Sequence, residues 1–282
     1  MRLNNQEAEI YVPDGVEAIQ ALKRTTHMGI AAHPDDLEIL AYHGILECFR
    51  SEEKWFLGVV VTDGRGSPRE DLYANYTDDE MRLVRRQEQR KAAFLGEYGA
   101  VVMLDYTSAA VKDPKKKESV SDLRRLIEAS RPGVIYTHNP ADKHDTHVAV
   151  CLRTIEALRQ VAADARPKAL YGCEVWRTLD WLVDDEKVVF DVAAHENLAA
   201  SLVGIFDSQI CGGKRYDLAT MGRRRATATY HESHGTDVTT AMIYAMDMTP
   251  LVENPGLDIS EFLAAHINRF AEDVSARLKR MA

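Results

Sequence analysis

Two short stretches of this 282-residue chain concentrate side chains that bind ions and move protons. The first is Ala32-His33-Pro34-Asp35-Asp36-Leu37-Glu38, where a histidine stands beside two adjacent carboxylates. The second begins at Thr137-His138-Asn139-Pro140 and runs through Asp142 to His144-Asp145-Thr146-His147. Adjacent carboxylates repel unless a cation neutralises them, and imidazole with carboxylate is a donor set for a divalent ion such as zinc. Pro34 fixes its own φ and disfavours the helical region at His33, so the first turn is stiff. His33 and Asp36 can point at one ion while Asp35 points beside it. His144 and His147 are three apart, so at a helix start they lie on similar sides of the chain. Either could complete a His–Asp–His set that leaves positions open for water and substrate, as catalytic zinc requires. Taken alone, Asp35 and Asp36 also read as caps of the following helix. The second cluster tips the balance toward a metal.

Both stretches follow short apolar runs. His27 to Ala32, Trp55 to Thr62, Ala100 to Leu104, Gly133 to Thr137 and Ala169 to Val175 are rich in Val and Ile and bounded by turn residues, as buried strands are. Between them lie helical patterns at Glu38 to Arg50, Asp78 to Tyr98, Ser121 to Ser130 and Thr146 to Ala163. This alternation predicts an α/β fold, a Rossmann-like and mostly parallel sheet flanked by helices. The chemistry then falls at the carboxyl ends of strands, where such sheets bind ligands. No linker divides the chain, so residues 1–282 read as one domain whose last third, from about 176, is less regular. Val188 to Val192 is a candidate strand there; His195 to Phe206, Lys214 to Tyr230 and Leu257 to Arg280 are candidate helices.

Lys and Arg total 35 against 44 Asp and Glu, a formal charge of −9, which disfavours a large nucleic-acid-binding surface. No apolar run approaches the roughly 20 residues of a membrane span, and the first residues lack the pattern of a signal peptide. Cys48, Cys151, Cys173 and Cys211 are far apart, which excludes a cysteine-rich zinc module and fits reduced thiols in a cytoplasmic protein. A homo-oligomer is compatible with the sequence.

HPDDLE at 33–38 and HDTH at 144–147 together resemble the PIG-L/LmbE-like family of metal-dependent N-deacetylases. The family's first motif, A-H-P-D-D-x-E, is matched in full by Ala32 to Glu38. Its second, H-P-D-H, is matched only at the two histidines, with Asp145 and Thr146 between them. Thr62-Asp63-Gly64 is similar to the family's Thr-x-Gly turn. Arg85, Glu88, Ala92, Ala93, Leu95 and Gly96 match its R-x-x-E-x-x-x-A-A-x-L-G helix. The resemblance spans roughly residues 27 to 160.

The resemblance implies that His33, Asp36 and His147 bind zinc, or another ion such as ferrous iron, and that Asp35 is the general base. It implies removal of an N-acetyl group from an amino sugar or small glycoside. His144 is the best candidate to stabilise the oxyanion. If the motif's missing Asp orients a histidine, Asp145 or Asp142 can stand in for it. Arg65, in the loop after the second strand, could fork onto a substrate, and Asp63 and Asn139 sit at turns from which they could touch one. Arg85 and Glu88 read as an ion pair under the site, and His231 and His234 as exposed loop residues. The rival reading is a non-catalytic metal- or sugar-binding protein on the same fold. A nucleotide-binding enzyme is disfavoured, because HPDD replaces the Gly-rich phosphate turn.

Overall fold

The computed structural model describes residues 1–282. The elements run β1 (Glu9–Tyr11), α1 (Ala18–Lys23), β2 (His27–Ala31), α2 (Asp36–Leu40), α3 (Tyr42–Cys48), β3 (Phe56–Thr62), α4 (Asp78–Leu95), β4 (Ala100–Tyr106), α5 (Ser108–Lys112), α6 (Glu118–Ser130), β5 (Val134–His138), α7 (Asp145–Gln160) and β6 (Ala169–Cys173). The last third adds β7 (Lys187–Asp191), α8 (Glu196–Gly204), α9 (Asp207–Ile210), α10 (Tyr216–Tyr230), β8 (Met242–Asp247), α11 (Pro250–Glu253) and α12 (Ile259–Met281). No helix is long and apolar enough to cross a membrane. All four cysteines are free.

The strands form one eight-stranded sheet in the order β1-β4-β3-β2-β5-β6-β8-β7. The five central strands, β4-β3-β2-β5-β6, are parallel. β1 closes one side antiparallel, and β8 then β7 extend the other antiparallel. The chain leaves β2 through β3 to β4, then returns to the opposite side of β2 with β5. The carboxyl ends of β2 and β5 therefore flank the point where the winding reverses, the crevice in which open α/β sheets take ligands. Both chemistry-bearing stretches begin there.

Helices cover both faces of the sheet, giving two apolar cores of 33 and 26 buried residues. Every residue of β3 is buried, as its unbroken FLGVVVT run requires of a strand packed on both sides. α2 lies close to the sheet because β2 has a glycine beneath it: a Cβ on Gly29 would stand 2.8 Å from Leu37 Cδ2. α4 starts on a capping box, with Thr77 and Glu80 satisfying each other's backbone N–H groups.

The architecture matches the sequence reading for the parallel strands. Six elements lie outside it: β1, α1, α5, α9, β8 and α11. β8 (MIYAMD) has only Ile243 and Tyr244 as strand formers in a short mixed run, and β6 and β7 pair with it on either side. The single helix expected over 38–50 is two, broken at Ala41 (φ −107°, ψ 16°). Arg224 of α10 donates to the carbonyls of Glu38 and Ile39, satisfying the end of α2 from outside.

Candidate metal centre and its cleft

Asp35 ends the β2 loop with φ 103°, a left-handed conformation that non-glycine residues seldom adopt. The strain, of order 1–3 kcal/mol, is the kind held at functional positions. The turn folds Asp36 back so that its Oδ2 accepts from the His33 backbone N–H at 2.8 Å. The same oxygen lies 3.1 Å from His33 Nδ1 and 3.2 Å from His147 Nε2, and those two nitrogens are 3.2 Å apart. Three donor atoms from two loops thus form a nearly equilateral triangle.

The triangle fits one divalent ion. Donors bonded to a common ion at about 2.0–2.2 Å lie roughly 2.8–3.6 Å apart, for bond angles from square to tetrahedral. The hydrogen-bond chemistry calls for positive charge at the same point. His147 Nδ1 stands 3.3 Å from Asp142 Oδ2, an oxygen that can only accept, so Nδ1 carries the proton. His147 Nε2 then faces the Asp36 carboxylate, a contact that calls for positive charge, either a second ring proton or an ion between them. Burial would lower the His147 imidazole, but the carboxylates of Asp36 and Asp142 outweigh it and lift it to about 9. Burial likewise opposes ionisation of Asp36, yet His147 and the His33 and His147 hydrogen bonds hold that carboxyl well below its usual range. His33 is lowered by burial to about 4, so it is the neutral imidazole that a metal needs.

Asp142 answers the departure in the second motif. Its Oδ2 also accepts from the Trp176 N–H and its Oδ1 from the His144 N–H, which locks it in place. It holds the His147 ring as a carboxylate behind a histidine ligand does at metal sites. Thr146 fills the motif position without that role and lines the cleft instead. Asp145 is exposed at the start of α7.

His138 was not singled out by the sequence reading, yet Asp36, His138 and His147 form one of the two clusters with ligand atoms inside 4.8 Å. Its Nε2 accepts from the Ala32 N–H at 2.9 Å and lies 3.6 Å from Asp36 Oδ2. That bond uses its only lone pair, so His138 backs the centre, its ring stacked on His147 with centroids 3.9 Å apart. The other cluster is His33, His144 and His147. His144 stands at the rim, its ring 5.1 Å from His33 and 4.5 Å from His147.

Asp35 is raised well above the usual carboxyl range by burial, with the Arg85 guanidinium pulling the other way. Arg85 donates to Asp35 Oδ1 at 3.2 Å, to the Pro34 carbonyl and to the Gly64 carbonyl at 3.1 Å. The ion pair expected between Arg85 and Glu88 does not form. Glu88 accepts instead from the N–H and hydroxyl of Ser208, tying α4 to α9. Gly64 has φ +67°, and a Cβ there would stand 2.9 Å from Arg85 Nη1, so the Thr62-Asp63-Gly64 turn needs its glycine.

A cleft of about 470 Å3 opens over the centre, lined by His33, Asp35, Asp36, Arg85 and His144 and walled by Trp176, Lys214 and Tyr216. Arg65, Asp63 and Asn139 do not line it. Asp63 and Arg65 bind each other at 2.7 Å, with Arg65 reaching on to Asp79. Asn139 is buried and donates to the Cys173 carbonyl at 2.9 Å, bracing the β5 turn. His231 bonds the Tyr244 hydroxyl at 3.1 Å, away from the centre, and His234 is exposed. The sequence carried no signal for Trp176, Lys214 and Tyr216, because they lie in the irregular last third and join the cleft only through the tertiary fold.

Residues 28–158 match the family model described as PIG-L, GlcNAc-PI de-N-acetylase. It is this segment, a little under half of the chain, that is similar to the PIG-L family. Solved structures extend the likeness beyond it, at the level of fold. N,N'-diacetylchitobiose deacetylase from Pyrococcus horikoshii is 16% identical with a TM-score of 0.61, over 82% of this chain and 86% of that one. The conserved protein TT1542 from Thermus thermophilus is 16% identical with a TM-score of 0.59, over 83% and 99%. GalB, the 4-carboxy-2-hydroxymuconate hydratase from Pseudomonas putida, is 14% identical with a TM-score of 0.62, over 79% and 96%. No curated protein matches the sequence. PIG-L deacetylases are metal-dependent, and this chain has a possible His/Asp metal site.

Proposed function

We propose that this protein is a zinc-dependent hydrolase that removes an N-acetyl group from an amino sugar or a small N-acetylglucosaminyl glycoside. The observation that carries the reading is the triangle of His33 Nδ1, Asp36 Oδ2 and His147 Nε2, with edges of 3.1–3.2 Å. These three residues would hold the ion; ferrous iron suits the same donors. Bound there, it would supply Lewis-acid activation of water and of the amide carbonyl.

The chain's own residues do the rest. Arg85 holds Asp35 Oδ1, which leaves Oδ2 to take a proton from the attacking water and return it to the departing amine. Arg85 also fixes the strained turn that aims Asp35. His144, lowered by burial, donates a ring N–H to the carbonyl oxygen as negative charge develops on it. Trp176 and Tyr216 offer flat apolar faces for a sugar ring, with the Lys214 ammonium 5.4 Å from the Trp176 ring centre.

A hydratase shares this fold, so fold alone does not choose the reaction. The family description favours amide hydrolysis. Asp142 in the orienting position weakens the case for a non-catalytic binder, which rested on Thr146. The test is acetate release from a panel of N-acetylated amino sugars and glycosides, before and after chelation, with zinc or ferrous iron restored. Acetate release that chelation abolishes and metal restores supports the reading. A metal-loaded protein that binds the sugars and releases no acetate contradicts it.

A further inference from the structure

Besides its histidines, the cleft over the centre is lined by the carboxylates of Asp35 and Asp36 and the cations of Arg85 and Lys214. Three of these charges are already engaged. Asp36 faces His33 and His147, and Asp35 is held by Arg85. Lys214 is the fourth, and no carboxylate comes within 4.0 Å of its ammonium. Glu70 approaches the backbone next to it, where a Cβ on Gly213 would meet Glu70 Oε2 at 3.1 Å, and stops short of Nζ. The Lys214 backbone is fixed on both sides. Its N–H donates to the Gln209 carbonyl at 3.1 Å, and its carbonyl accepts from the Tyr216 N–H at 2.7 Å.

Distances along the wall set the order in which a substrate meets these groups. The Trp176 ring lies 6.1 Å from the His144 ring, with the two planes 25° apart. Tyr216 meets the same indole edge to face at 6.1 Å. Lys214 Nζ is 5.4 Å from the Trp176 ring centre, and Lys143 Nζ is 5.9 Å from it. Lys143 is exposed and, like Lys214, has no carboxylate within 4.0 Å. Trp176 therefore stands one ring from His144 and one ring from two ammonium groups that arrive from distant segments. The chain as a whole carries −9, which repels anions at long range, so attraction of an anion here depends on local cations. A cationic group entering the cleft finds no carboxylate left to pair with.

Resting on the deacetylase reading above, we propose that the cleft selects N-acetylated amino sugars that carry an oxyanion on the side of the ring away from the acetamide. Lys214 is the specificity-determining residue, and Lys143 supports it. With the acetamide at His144 and the sugar ring against Trp176 and Tyr216, the substituent across the ring reaches the two ammonium groups. A lysine is a compact point charge without the fixed fork of an arginine, so it receives a carboxylate or a phosphate alike. A neutral glycoside leaves Lys214 in water and is accepted without preference. A cationic one is disfavoured by both lysines.

Three matched glycosides of N-acetylglucosamine test this: methyl, carboxymethyl and aminoethyl, with N-acetylglucosamine 1-phosphate beside them. Binding is read by isothermal titration of the zinc-loaded Asp35→Asn protein, and kcat/KM for acetate release is read on the wild type. The carboxymethyl glycoside or the 1-phosphate should exceed the methyl glycoside about fivefold or more in both, and the aminoethyl glycoside should fall below it. Whichever anion is ahead names the oxyanion. High salt should shrink the preference. Lys214→Met should remove most of it, and Lys214→Glu should turn it toward the aminoethyl glycoside, a gain that misfolding cannot produce. Equal binding of the three glycosides, no binding of any, or a preference unmoved by Lys214→Glu overturns the inference. Acetate released equally from all three would leave the deacetylase reading standing and remove the role of Lys214. A charge preference in binding with no acetate from any of them would do the reverse.

Discussion

Asp142 shows how a site survives a changed motif. The sequence places Thr146 where the second motif has an acid, and the structure supplies the orienting carboxylate from four residues upstream. Asp142→Asn leaves His147 unable to keep its tautomer, so metal affinity should fall about 10–100-fold, read by competition with a fluorescent chelator. Asp35→Asn should behave oppositely. It keeps metal near one equivalent by elemental analysis while acetate release drops by about 10²-fold or more. Glu38 is the third informative carboxyl, fully buried under the centre. Burial raises it from its ordinary 4.5 to about 7, against hydrogen bonds from Tyr98 and Gln89. A folded value above the unfolded one means that the native state binds the proton more tightly. The contribution is therefore fully present below pH 4.5 and is lost as pH rises through 7. In metal-free protein, urea unfolding at about pH 4.5 and pH 7.5 should show wild type losing on the order of 3 kcal/mol relative to Glu38→Gln. An equal pH dependence in the two proteins would refute the buried-acid assignment.

Among elements, the parallel strands and the helices between them were legible because their apolar runs and periods are intrinsic. The break between α2 and α3 was not, since Arg224 imposes it from α10, nearly 190 positions later. β8 was hidden because its short mixed run has only Ile243 and Tyr244 as strand formers. The turn after β3 is legible in part, as Gly64 announces a tight turn but not the guanidinium packed on it. Gly64→Ala should strain a φ of +67° and push Arg85 off Asp35. The expected cost is about 1–2 kcal/mol in thermal or urea unfolding. A larger loss in kcat than in metal occupancy should accompany it. Unchanged kcat with reduced stability would mean that Arg85 has no part in aiming the base.

For the whole molecule, the sheet's reversal between β2 and β5 converts two distant sequence clusters into one centre. His33, Asp36 and His147 were readable as a donor set because each cluster follows a strand and the resemblance names the pairing. The cleft wall was not readable, because Trp176, Lys214 and Tyr216 belong to the segment added around the PIG-L-like residues and share no motif. The irregular last third thus shapes what enters the site. The proposed chemistry depends on one ion shared by two loops. Anomalous diffraction at the zinc edge from a zinc-soaked crystal tests this most directly. The account predicts one peak bonded at about 2.0–2.2 Å to His33 Nδ1, Asp36 Oδ2 and His147 Nε2. No peak among these atoms, or a peak held by His138 or His144 without His33, would contradict it.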